Sequence, residues 1–402
     1  MLPPAGGGSS LWRLPGMRSQ GYLCVLAFTS FFLTLSSLPL YSIAIGTSTG
    51  AAGLVTTVML VSTVAAQTLV PAAVSRWGLL RVLGAGLVLL GAPAPLYVIE
   101  HQFWWVLLVS AVRGLGFAVI TVLMPLVASA MVPAGRQGEA IGIYGLAIAV
   151  PNLLGVPIGV ALTSAGEFRW VAIASAAPLL ALPLLRPIGR AMLPRGVGVG
   201  VGVGAGVGAG AEPTRADASG AVRAIAGVTL VLLVVTLSGG GVLTFLPVVR
   251  SSGRLATVAL LLFGAAGALS RWRAGALSDR WGSRVLLPTA VIVAAGGMTL
   301  LAMGLALPST VVLLIGAVVL GAGLGAVQNV TLLVAFRRAG PAKQTTASAV
   351  WNAAYDSGTA IGALVVGLVA AGGPGFSWTF AGCAVLILAT LPLAMTATRS
   401  LR

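Results

Sequence analysis

The sequence predicts an all-α membrane protein with twelve transmembrane helices in two pseudo-symmetric six-helix bundles. Three observations carry this. Of 402 residues, 58% are hydrophobic and only 7% are charged, whereas soluble domains carry roughly 25% charged residues. The apolar residues fall in runs of about 20, the length a helix needs to cross a hydrocarbon core. Landmarks of the first half return in the second at a nearly constant spacing.

The twelve runs are 21–46, 50–74, 79–99, 103–131, 138–163, 168–186, 223–247, 254–272, 284–306, 310–336, 345–371 and 376–397. The first is too long for the core of a signal peptide and reads as a span, with Met1 or Met17 as the start. The sixth is the weakest, being short and closed by Pro183, Arg186 and Pro187.

Basic residues collect in cytoplasmic loops and set orientation. With both termini inside, 19 of the 23 Lys and Arg residues fall on the inner side, among them Arg271 at the inner end of the eighth span and Arg273 just past it. Only Arg169, Arg250 and Arg254 fall outside, and Arg113 lies within a span. The net charge of +16 therefore sets topology and marks no nucleic-acid partner.

Residues 1–190 form the first half, 191–222 a Gly/Val-rich cytoplasmic linker, and 223–402 the second half. The linker tract Gly196–Gly210 repeats GxG patterns, but none follows a strand or opens a helix, as a nucleotide fingerprint requires. The halves echo each other. Leu38-Pro39, Arg76-Trp77-Gly78, Gly114-Leu115-Gly116 and Gly155 return as Leu246-Pro247, Arg280-Trp281-Gly282, Gly323-Leu324-Gly325 and Gly362, offset by 204 to 209 residues. Duplicated halves around a midplane site are a transporter architecture.

The stretch after the eighth span, Gly275-Ala276-Leu277-Ser278-Asp279-Arg280-Trp281-Gly282-Ser283-Arg284, resembles the loop signature of the major facilitator superfamily. The copy after the second span keeps Arg76, Trp77, Gly78 and Arg81, but has Pro71 for the glycine and Ser75 for the aspartate. Arg113, followed by Gly114 and Gly116, is similar to the family's intramembrane arginine motif, often linked to proton coupling. Gly145, Pro151, Asn152, Gly155, Pro157 and Gly159 resemble its exporter motif, without the Gly-Pro pair. The resemblance implies the family's twelve-span fold, a drug:proton antiporter-like activity, a monomer, and a loop that braces one conformation through Gly275, Asp279, Arg280, Gly282, Arg284, Arg76 and Gly78. It also implies that the tenth span lines the cavity.

Charges deep in a bilayer are costly and rarely persist without a role. Arg113 and Asp356 are the two that the span assignments place there. Thr345, Ser348, Asn352, Asp356 and Thr359 share one helix face, which should meet protein or a water-filled cavity. Asp356 either binds and releases a proton during transport or serves a structural pairing near Gly358. Arg113 either holds a polar network, binds an anionic substrate group or tunes a carboxylate. Gln328, Asn329, Asn352, Tyr41, Gln67 and Asn152 are candidates for substrate hydrogen bonding, with helix–helix bonding the alternative.

Two cysteines and one histidine leave no metal site and no cofactor to expect. The expected function is secondary active transport, proton-coupled efflux of a small amphiphilic or drug-like molecule across the plasma (cell inner) membrane. Substrate, protons and lipid are the expected partners, with no nucleic acid. An importer of a small polar solute is the alternative, and a membrane-embedded enzyme a remote one.

Overall fold

The computed structural model describes residues 11–14, 16–132, 137–192, 215–249, 253–339 and 344–399, apart from the side chains of 129, 137–139, 141–142, 215–224, 275–276, 279, 344–346, 349 and 399. All regular structure in these residues is helical. Eleven helices are long and apolar enough to cross a membrane, and a bent pair makes a twelfth.

In the first half, α1 is the bent pair Met17–Leu35 and Ser37–Ala44. α2 spans Thr49–Gln67 and continues as the short helix Val70–Trp77. α3 is Leu79–Val98, α4 Phe103–Ala130, α5 Gln137–Ser164 and α6 Phe168–Met192. In the second half, α7 is Arg215–Val249, α8 Gly253–Trp281, α9 Ser283–Ala306, α10 Thr310–Ala339, α11 Gln344–Ala371 and α12 Gly375–Thr398. One face of the molecule carries Arg76, Arg81, Arg280 and Arg284 around the α2–α3 and α8–α9 turns, and is called the Arg-rich face. Exposed Trp77 and Trp281 lie at that face, and Trp104, Trp170 and Trp378 at the opposite one, as interfacial aromatic belts do.

Local chemistry explains the irregular elements. α1 bends by 40° between its two pieces. Pro39 has no N–H to offer the Leu35 carbonyl, which instead accepts from Thr56 Oγ1 at 3.5 Å. Ser37 Oγ also bonds back to the Leu33 carbonyl, a further bending influence. The weak sixth span is longer than expected. Pro178 and Pro183 fall in a 3-10 stretch, Ala177–Leu184, between two α-helical pieces.

The eighth span is also longer than the sequence suggests. α8 runs on to Trp281, so Arg271, expected at the end of the span, and Arg273, expected just past it, stand well inside a helix. The connection to α9 is the single residue Gly282, at φ 76 and ψ 149. Gly78 repeats this at φ 84 and ψ 152 between Trp77 and α3. An L side chain is strained there. Gly275 and Asp279 fall in the last turns of α8, and the Asp279 side chain lies outside the described residues. The linker is shorter than expected at its far end, because α7 already starts at Arg215.

Glycines let helix backbones meet, as membrane bundles require in the absence of a hydrophobic drive between helices. Gly114 of α4 abuts Met59 of α2, and Gly116 abuts Gly86 and Leu90 of α3. The matching roles in the second half fall to Gly321, against Phe263 of α8, and Gly323, against Ala294 of α9. The repeat is therefore real, but its register here is 207 residues, two fewer than the Gly-Leu-Gly match suggests. Likewise Gly155 and Gly159 pack on Phe32 and Leu33 of α1, as Gly358 and Gly362 pack on Leu233 and Leu237 of α7. Gly155 thus corresponds to Gly358, not to Gly362.

The halves meet closely at the opposite face. Gly50 lies beside Ala371, Gly53 beside Ala363, and Thr57 Oγ1 donates to the Ala360 carbonyl at 2.9 Å. Toward the Arg-rich face Arg271 and Asn352 are exposed, although α8 borders α5 and α11 borders α2 of the other half, which places a cleft between the halves there. We expect Gly282→Ala to destabilise the protein by about 1–3 kcal/mol through backbone strain. Gly296→Ala, at a helical site with open space around it, should leave the thermal midpoint in detergent unchanged.

Candidate functional site

Three side chains decide what the interior can do, and each has a different environment. Arg113 on α4 is fully buried. Its Nε donates to the Leu90 carbonyl at 3.0 Å. Nη1 donates to Thr34 Oγ1 at 3.0 Å and to the Tyr97 hydroxyl at 3.2 Å. Nη2 donates to the Ser30 carbonyl and hydroxyl at 3.0 and 2.9 Å. The Tyr97 ring lies under the guanidinium at 5.4 Å. All these acceptors are neutral and belong to α1 and α3, so Arg113 ties three helices of one half together.

Asp356 on α11 is half-buried and faces the other half. Gln67 of α2 donates to its Oδ2 at 3.2 Å and to Thr121 Oγ1 of α4 at 3.2 Å. Among the described residues no arginine comes within salt-bridge distance of Asp356; the one ion pair there is Arg169–Glu167, on an exposed surface. The carboxylate is therefore held by a neutral amide.

Arg271 on α8 is the third, and the sequence reading missed it. Its Nη1 donates to Gln328 Oε1 of α10 at 3.2 Å. It interacts electrostatically with the phenols of Tyr355 on α11 and Tyr144 on α5, one from each half. Its side chain is exposed. A residue that is flanked by both halves, yet open, lines the cleft between them. The repeat holds a signal for it. By the offset of 204 that relates Gly78 to Gly282, Arg271 corresponds to Gln67. By the offset of 207, Gln328 corresponds to Thr121. The bond from Arg271 to Gln328 is thus the second-half counterpart of the bond from Gln67 to Thr121.

These groups form one layer. Gln67, Thr121, Arg271 and Gln328 each lie about 18 residues, roughly 27 Å, from the opposite-face end of their helices. Asn352 is exposed in the cleft one turn from Asp356 toward the Arg-rich face, its Nδ2 bonded to the Ser348 carbonyl at 2.9 Å. Asn329 is half-buried beside Gln328. The other candidates fall elsewhere. Tyr41 is buried near the opposite face, stacked on Phe168 at 3.9 Å and bonded to the Tyr97 carbonyl at 3.3 Å. Asn152 is half-buried on α5, about 12 Å beyond Tyr144 along the helix. Thr359, the last member of the α11 stripe, packs against Gly240 of α7. No cluster of potential metal ligands occurs among the described residues.

Arg113→Lys should lower stability by about 1.5–3 kcal/mol, because three ammonium donors cannot serve the five acceptors around the guanidinium. Thermal unfolding in detergent checks it, and an unchanged midpoint would contradict the bracing role.

The comparisons agree with this architecture. The family model described as Major Facilitator Superfamily matches residues 22–363 and 228–400. A comparison with curated proteins gives no match. Among solved structures, a bacterial homolog of the human lysosomal transporter Spinster, inward-facing and occupied, superposes with a TM-score of 0.74 at 16% identity, covering 98% of each chain. The xylose transporter XylE from E. coli, in a partially occluded inward open conformation, gives 0.69 at 17% identity, over 93% of this chain and 95% of that one. The nucleoside transporter NupG gives 0.68 at 13% identity, over 96% and 100%. Identities this low establish the shared fold alone. The family match, spanning both halves, shows that this chain belongs to the major facilitator superfamily and is a multi-pass membrane transporter.

Proposed function

We propose that the chain is a proton-coupled exporter of small amphiphilic molecules, working by alternating access. Asp356 carries the reading. It is a half-buried carboxylate on the boundary between the halves, bonded across that boundary by Gln67 and without an arginine partner among the described residues. Closing the cleft around an ionised Asp356 would strip water from an unpaired charge, which is strongly unfavourable. A proton removes that penalty. Protonated Asp356 therefore favours the conformation closed at the Arg-rich face, and ionised Asp356 without substrate favours the open one. A substrate that shields the ionised carboxylate lets the cleft close without the proton, so that the two exchange across the membrane.

In this reading the Arg-rich face is cytoplasmic, both termini with it, and the protein is a monomer of the plasma (cell inner) membrane. The 19-to-3 basic asymmetry supports that orientation. The two turns at Gly78 and Gly282, with Arg76, Gly275, Asp279, Arg280 and Arg284, brace the closed state. Gln328, Asn329 and Asn352 meet the substrate, while Gln67 couples Asp356 to the opposite half. Arg113 positions α1, α3 and α4 and is sealed from the cleft. Export is favoured by the Gly/Pro-bearing α5 against α1 and by how few polar groups line the cleft.

Import of a polar solute is the second reading, favoured by solved structures of similar fold that carry xylose and nucleosides. Direction is tested in liposomes holding a pH-sensitive dye. We expect amphiphiles to drive proton flux through the wild type, and Asp356→Asn to abolish it while Asp356→Glu retains part. Proton flux that persists in Asp356→Asn would overturn the coupling role; flux driven by sugars or nucleosides instead would favour the importer.

A further inference from the structure

Arg271 has a vacancy opposite it that the repeat makes visible. In the first half, Gln67 reaches across the boundary and finds Asp356 on α11. In the second half, Arg271 stands at the equivalent place on α8. The offset of 203 that relates Gly155 to Gly358 and Gly159 to Gly362 makes Leu153 of α5 the counterpart of Asp356. Leu153 packs against Gly264 of α8 and offers no charge. Among the described residues a carboxylate thus meets the neutral amide and none meets the guanidinium.

Among the acidic residues whose side chains are described, none pairs with Arg271. Glu100 and Glu167 are at the opposite face, and Asp356 is engaged by Gln67. Glu139, Glu212, Asp217 and Asp279 belong to the linker or to the Arg-rich ends of α5, α7 and α8. The contrast with Arg113 is sharp, since that guanidinium is enclosed by acceptors from three helices. Arg271 donates one hydrogen bond, to Gln328, and its side chain is otherwise exposed.

We propose that Arg271 receives the anionic group of the transported molecule, so that the substrate is an amphiphilic organic acid with a carboxylate or a group of like geometry. A guanidinium fork suits such a group because it donates two parallel hydrogen bonds. Tyr144 and Tyr355, one from each half, are near enough to interact electrostatically with Arg271. Tyr355 stacks on Trp351 at 5.8 Å, and Tyr144 lies edge-on to Phe28 at 6.2 Å. These aromatic faces suit an apolar or aromatic substrate body next to the acid. This inference rests on the reading of the cleft as the transport path, but not on proton coupling or direction.

The test uses three probes with one ring system: 1-naphthylacetate, 1-naphthylacetamide and 1-naphthylmethylamine. Binding to the purified full chain is measured by calorimetry, alongside proton flux in liposomes. Wild type should bind the acid about tenfold or more tighter than the amide, and the amine weakest. Arg271→Gln should bring acid and amide to parity with the amide's affinity unchanged, which shows the cleft intact. Arg271→Lys should restore part of the preference. Asp356→Asn should keep the preference while losing proton flux. Failure of the acid to bind, equal binding of acid and amide in wild type, or a preference that survives Arg271→Gln would overturn the proposal. Flux that persists in Asp356→Asn would instead sink the coupling role and leave the anion site standing.

Discussion

A charge inside a hydrocarbon slab must be solvated by protein or by water, and this molecule treats its three deep charges in three ways. Arg113 is solvated wholly by protein, its donors taken by neutral oxygens of α1 and α3. Asp356 is solvated in part, by the amide of Gln67 from the opposite half. Arg271 has Gln328 on one side and open cleft on the other. The first arrangement is rigid and belongs to one half. The other two change whenever the halves move, so they can feel the transport cycle.

The scaffold that allows this is built from glycine. Each half packs its helices so closely that a methyl group at Gly114, Gly116, Gly321, Gly323, Gly358 or Gly362 would strike a neighbouring helix. Such contacts make each half move as one body. The halves are related by an internal repeat, and the repeat is broken at the proposed site. Gln67 and Thr121 face Arg271 and Gln328 across the pseudo-axis, and Leu153 faces Asp356. The layer carries an acid, Asp356, on α11 and a base, Arg271, on α8.

Much of this was legible in the sequence. Long apolar runs separated by arginines specify the span count, since backbone polar groups in lipid can be satisfied only within helices or closed barrels. Asp356 was visible because a carboxylate twelve residues into an apolar run has no ordinary place. Its partner was not, because Gln67 lies 289 residues away and hydropathy carries no contact information. Arg113 stood out for the same reason as Asp356, but its acceptors Ser30, Thr34 and Tyr97 are commonplace residues of other spans. Arg271 was hidden by the rule that reads arginines near a span's end as lying at the membrane surface. In the α8–α9 connection the positive φ falls at Gly282, so the helix end is set there, and counting back about ten residues puts Arg271 roughly 15 Å inside.

The central claim is that the two halves rock about the layer of Gln67 and Asp356, and that the charge on Asp356 selects the conformation. Distances between paired spin labels test it most directly. Labels at Arg76 and Arg280 report the Arg-rich face and labels at Ser48 and Gly372 the opposite one, all four sites being exposed, with the buried Cys24 and Cys383 replaced. The account predicts that Asp356→Asn shortens the first distance and lengthens the second relative to the wild type at alkaline pH. Two distances that stay fixed, or that move in the same sense, would contradict it.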